Sequence, residues 1–124
     1  MNLLLDTQAF LWWLADAPIE GAVKDRIADP DALVAVSAAS IWEIAIKRAL
    51  GKLRIEGSMI DEVSSGGFEP LSISFGHAER AGALPAHHRD PFDRMLIAQA
   101  QSEGLTLVTR DTAFDAYEVE VLRC

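Results

Sequence analysis

One cysteine in 124 residues, and that one at the last position, Cys124, leaves the chain no internal disulfide to rely on. Basic residues are also few. Eleven Lys and Arg against 19 Asp and Glu give a net charge of −8, which argues against a broad basic face for nucleic acid. Long hydrophobic runs are missing: the longest near the start, Ala9 to Ala15, is bracketed by Asp6 and Asp16 and is far short of a span. A basic leader and a small-residue cleavage site are both lacking, so the sequence predicts a cytoplasmic protein with no membrane association. No repeat, low-complexity segment or linker breaks the chain, and residues 1–124 read as a single domain.

What is present is a core. Half the residues are hydrophobic and 24% are charged, a globular composition. A chain of this length buries roughly two-thirds of its unfolded surface.

The stretch from His87 to Ala100 organises the rest. Pro91 suits the first position of a helix, where a fixed φ helps and a missing N–H costs nothing. Asp90 is then its N-cap, a structural role, and Asp93 falls at the acidic position of a capping box. Met95, Leu96, Ile97, Ala98 and Ala100 make the body of the helix apolar on several sides, and Gly104 closes it.

The other elements come in order along the chain. Asn2 to Leu5 reads as a buried strand ending at Asp6, and Thr7 to Ala15 as a helix apolar nearly all round. Two adjacent indoles in so small a domain predict that Trp12 or Trp13 meets a partner chain. Pro18 to Ala28 reads as a second helix and Leu33 to Val36 as a second strand. Ser37 to Leu50 reads as a third helix with Gly51 just past its end. Ser58 to Ser65 is helical, Pro70 to Ile73 a third strand, and Ser74 to Ala83 a further helix before a loop from Leu84 to Arg89. Leu105 to Val108 is a fourth strand. Val119 to Leu122, more alternating in pattern, is a last one at an edge. Strands alternating with helices predict an α/β fold, a three-layer α/β/α sandwich on a mainly parallel sheet.

In such sheets, sites form beyond the C-terminal strand ends. Asp6 ends the first strand, Asp111 lies beyond the fourth, and Asp93 opens the helix leading into it. Glu43 lies in the second turn of the third helix, spaced to pair with Lys47. Any one of these acids could be a cap or a turn residue. Four converging on one sheet edge would repel one another unless cations sit between them. An all-oxygen set favours Mg²⁺ or Mn²⁺ over zinc, and such a centre suits phosphodiester hydrolysis. Lys47, Arg48, Lys52 and Arg54 form the densest positive patch, which reads first as helix-end electrostatics.

Leu3-Leu4-Leu5-Asp6-Thr7, Ser37 through Trp42-Glu43, His88-Arg89-Asp90-Pro91-Phe92-Asp93-Arg94 and Leu107-Val108-Thr109-Arg110-Asp111 stand in an order that resembles the PIN-domain endoribonucleases. Specifically, the chain is similar to the VapC-type toxins of toxin–antitoxin pairs. The resemblance spans essentially the whole chain. It implies that Asp6, Glu43, Asp93 and Asp111 are the catalytic, metal-binding acids, with Thr109 as a polar support grouped with the substrate site. It also implies an RNA substrate, a cognate antitoxin that threads over the acidic pocket, and a homodimer. Arg94 and His88 are assigned to phosphate or substrate contact; the plainer readings are an Arg94–Asp90 pair and a solvated His88. A receiver domain would require paired acids after the first strand, and a haloacid-dehalogenase-like phosphatase a second aspartate at Gln8. The alternative that remains is a catalytically silent PIN-like module binding RNA or protein.

Overall fold

The computed structural model describes residues 2–124. Its elements are β1 (Leu3–Leu5), α1 (Thr7–Leu14), α2 (Gly21–Ala28), β2 (Val34–Ser37), α3 (Ala38–Ala49) and α4 (Met59–Ser65). Next come β3 (Glu69–Leu71), α5 (Phe75–Ala83), α6 (Pro91–Glu103), β4 (Thr106–Thr109), a 3₁₀ turn (Thr112–Ala116) and β5 (Val121–Arg123). The sheet runs β3-β2-β1-β4-β5, parallel throughout.

β1 is the middle strand, and its three leucines are all buried. Residues alternate faces along a strand, so Leu3 and Leu5 enter one core with Phe10, Val23, Ile27, Val36 and Ile44. Leu4 enters the other with Ala39, Leu96, Ile97, Leu107 and Phe114. Helices α1, α2 and α4 cover the first face, α6 covers the second, α3 contributes to both, and α5 packs on α6. Uninterrupted apolar runs are what a parallel strand sandwiched between helices requires. Among the described residues, no helix is long and apolar enough to cross a membrane.

Local chemistry sets the ends. α6 starts at Pro91 under an Asp90 cap that accepts from the amides of Phe92 at 2.9 Å and Asp93 at 3.1 Å. It ends at Gly104, whose φ of 66° is the left-handed conformation glycine adopts freely. α2 begins at Gly21 rather than Pro18, because the Glu20 carboxylate caps it by accepting from Val23 N–H at 3.2 Å. β3 runs over Glu69–Leu71, ending before Ile73; it carries Pro70, which an edge strand tolerates. The last strand is shifted two residues on from Val119, and it too is an edge.

The adjacent indoles are both partly exposed and both have neighbours within the chain. Trp13 packs edge-on to Phe68 at 6.4 Å, and the Arg110 guanidinium stacks 4.0 Å from the Trp12 ring, so both are engaged within the chain. The exposed tryptophan is Trp42 (61%), packed edge-on to Phe92 at 5.3 Å. Periodicity alone puts Trp42 in the apolar body of α3, but the sheet covers the other side of that helix.

Candidate metal centre

β1 and β4 are neighbours, so the residues just beyond each strand are delivered to the same place. Asp6 leaves the end of β1 and caps α1, its carboxylate accepting from Ala9 N–H at 2.7 Å. Asp111 lies just past β4 and caps the 3₁₀ turn, accepting from Ala113 N–H at 2.9 Å. Asp90 and Asp93 come from the start of α6, and Glu43 from the second turn of α3. All five acids line one cleft of 310 Å³, together with Lys47, Arg110 and Trp12.

Three of these acids are N-caps, so the structural reading of Asp6, Asp90 and Asp111 holds alongside any chemical one. Glu43 is different. Its Oε2 accepts from Lys47 Nζ at 2.8 Å, the predicted one-turn pair. Its Oε1 is the only buried side-chain oxygen or nitrogen among the described residues without a hydrogen-bond partner. A buried oxygen left so is costly, and a cation would satisfy it.

The electrostatics agree. Burial raises the Asp6 carboxyl above its ordinary value, with Asp111 and Glu43 pushing the same way against hydrogen bonds from Thr109 and Ala9. Burial, then repulsion from Asp90, carries Asp93 up to about 6, opposed by His88. Carboxyls held above their usual range by burial and by one another gain from a nearby positive charge. The donor set therefore fits a hard divalent cation.

A family model described as PIN domain matches residues 3–120, nearly the whole chain. The chain belongs to the PIN domain family. Among curated proteins none matches it significantly. Similar solved structures include VapBC2 from Rickettsia felis bound to a DNA fragment from their promoter, at 15% identity and TM-score 0.72, covering 100% of this chain and 99% of that one. A toxin–antitoxin complex from Klebsiella pneumoniae shares 23% identity at TM-score 0.67, covering 97% and 95%. VapBC-5 from Mycobacterium tuberculosis, of the VapBC family of toxin–antitoxin systems, shares 21% at TM-score 0.67, covering 99% and 98%. At these identities the likeness is one of fold. The family is one of nucleases, and this PIN domain carries the acidic cleft that such chemistry uses.

Thr109 takes the supporting role expected of it, while Arg94 and His88 have partners that the sequence does not reveal. Thr109 is fully buried; its hydroxyl accepts from Asp111 N–H at 3.0 Å and hydrogen-bonds the Asp6 carboxylate, so it supports two acids. Arg94 neither pairs with Asp90 nor reaches the cleft. Its guanidinium donates to the carbonyls of Ala81, Leu84, Pro85 and His88 at 2.9–3.3 Å, clamping the loop before α6.

His88 is not a solvated loop residue either. Its Nε2 lies 2.7 Å from Asp93 Oδ2, which takes Asp93 out of the capping-box role. The box appears instead at α5, between Ser74 and His77. The tightest group of potential ligand atoms is His88, Asp93 and Asp111, all within 4.8 Å of one another, with Asp6 and Glu43 further along the same cleft. The expected all-oxygen set thus has an imidazole beside it. The loop fold that brings it there depends on Arg94 and Tyr117, 23 residues apart, which no local pattern reveals.

Proposed function

We propose that this chain is a metal-dependent endoribonuclease of the VapC toxin type, acting in the cytoplasm, assembled as a homodimer and restrained by a cognate antitoxin. The observation that carries the reading is the buried, unpartnered Glu43 Oε1 in a cleft lined also by Asp6, Asp93 and Asp111. Family membership supports the nuclease role, and toxin–antitoxin complexes among the similar structures support the partner.

Asp6, Glu43, Asp93 and Asp111 would hold Mg²⁺ or Mn²⁺. A bound divalent ion supplies Lewis-acid polarisation of the phosphodiester and eases attack by water. The rest falls to the chain itself. The caps at Asp6 and Asp111 fix their carboxylates on helix N-termini, and Thr109 ties the two together. Lys47 and Arg110, the basic side chains lining the cleft, give an RNA phosphate a local positive rim on an otherwise acidic protein.

The test is cleavage of labelled RNA with Mn²⁺, with Mg²⁺ and in EDTA, for the native chain and Asp6→Asn. Cleavage should require the metal and fall by at least about 100-fold in the variant. Equal rates in EDTA or in Asp6→Asn would overturn the mechanism. Tight Mn²⁺ binding with no cleavage of any RNA would favour the silent module. Mapping new 5′ ends of cellular RNA after brief induction, against Asp93→Asn, identifies the substrate.

A further inference from the structure

We infer that His88 is a positioning residue whose Nε2–H holds the Asp93 carboxylate in one orientation, leaving the other carboxylate oxygen for the cation. The inference rests on the reading of Asp93 as a metal-binding acid.

The partners of the ring set its tautomer. Arg89 N–H donates to His88 Nδ1 at 3.1 Å, so Nδ1 carries the lone pair and Nε2 the proton. Nε2 then donates to Asp93 Oδ2 at 2.7 Å. The ring plane is set by edge-on packing against Phe114 at 6.2 Å. The backbone is fixed as well. His88 N–H donates to the Tyr117 hydroxyl at 2.8 Å, that hydroxyl donates to Pro85 O at 2.9 Å, and Arg94 reaches His88 O at 3.3 Å. Main chain, ring and proton are therefore all constrained before any ion arrives, and the side chain is partly buried against Asp93.

The same geometry weighs against the two other roles open to His88. Ligation through Nε2 would require the proton on Nδ1, where it would face the Arg89 N–H, donor against donor. A contact with RNA phosphate would require a donor not already committed, and the one ring proton goes to Asp93. An imidazole that orients a carboxylate ligand, rather than binding the metal, acts on affinity by fixing the carboxylate's rotamer. Removing such support typically costs 10–100-fold in metal affinity.

The experiment measures Mn²⁺ binding by calorimetry and by electron paramagnetic resonance, alongside kcat and KM for RNA, in His88→Ala, His88→Gln and Asp93→Asn. Glutamine places an amide N–H near where Nε2–H lies, but offers no imidazole lone pair. The expected result is a Kd for Mn²⁺ at least about 10-fold weaker in His88→Ala. His88→Gln should stay within about threefold of the native chain, and the loss in His88→Ala should fall on kcat with KM for RNA little changed. Native Mn²⁺ affinity in His88→Ala would overturn the inference, as would a KM effect alone, which marks a substrate contact. A His88→Gln as weak as His88→Ala would mark a ligand and overturn it too. If His88→Ala fails to fold, His88→Gln decides alone: near-native affinity supports the role and a tenfold loss ends it. Unchanged Mn²⁺ affinity in Asp93→Asn is a separate result, and it would refute the metal-site reading itself.

Discussion

Lys47 Nζ holds one oxygen of Glu43 at 2.8 Å and leaves the other buried and unpartnered. The pair is an ordinary one-turn contact on α3, yet it satisfies only half of the carboxylate. That asymmetry predicts opposite effects of one substitution in the two metal states. In EDTA, Glu43→Gln removes a buried charge that repels Asp6 and Asp93 and should stabilise the fold by about 1 kcal/mol. With Mn²⁺ it should lose most of the metal-induced rise in Tm. Calorimetric scans with and without Mn²⁺ measure both, and a variant that is less stable in EDTA but still responds to Mn²⁺ would contradict the assignment.

Acidity should change stability in an unusual direction. Asp93 is raised by burial to about 6 from 3.8, and Asp6 is raised as well. Between those values the folded chain keeps a proton that the unfolded chain has lost. Stability therefore falls as pH rises from about 4 to about 6, and the loss is complete above that. Asp93 accounts for at most about 3 kcal/mol of it. Metal-free protein should melt higher at pH 5 than at pH 7.5, Asp93→Asn should flatten the difference, and Mn²⁺ should stabilise at pH 7.5 far more than at pH 5. A metal-free Tm that rises over this interval would refute the burial argument.

Gln99 is fully buried on α6. It accepts from Ser37 Oγ at 2.5 Å and donates to Ser72 O at 3.3 Å, and its Nε2 also lies 3.4 Å from His77 Nδ1. One side chain thus joins the end of β2, the segment after β3, and α5. Gln99→Leu leaves those groups buried and unmatched and should cost about 2–3 kcal/mol, a fall in Tm of roughly 6–15 °C. Ser37→Ala should cost about 1 kcal/mol through the lost α3 cap, and the double variant should cost less than the sum. Strict additivity in that cycle would show that the network is not a unit.

Arg94 should matter for the fold and not for RNA. A lysine has one ammonium where the guanidinium spans four carbonyls. Arg94→Lys should lower Tm by several degrees, whereas Arg94→Gln, which removes the charge, should leave the slope of the salt dependence of RNA binding unchanged. A slope smaller by about one would mean that Arg94 meets a phosphate after all.

The parts of the molecule legible in the sequence are those whose causes are local. Asp90, Pro91 and Gly104 carry the chemistry of the α6 ends themselves, and the mostly apolar stretches at 3–5 and 105–108 read as sandwiched strands. Their alternation with helices implies the parallel α/β fold, and the rule for strand ends implies the gathering of Asp6, Glu43, Asp93 and Asp111. The features that are not legible are decided at a distance. Asp93 sits where a capping box would turn it inward, but the clamp by Arg94 and Tyr117 folds the preceding loop back so that His88 reaches it first. Likewise the apolar face of α3 is visible in the pattern, but not which side the sheet covers, and so not that Trp42 stands at the surface.

The pairing of β1 with β4 also has a consequence for timing. Leu3 pairs with Thr106 across most of the polypeptide. During synthesis the first strand leaves the ribosome early and waits for its far neighbour, as chains fold from the amino end. Asp6 and Asp111 are brought together only when that neighbour docks. A ribosome stalled before β4 has emerged would carry a nascent chain whose cleft is still missing a wall.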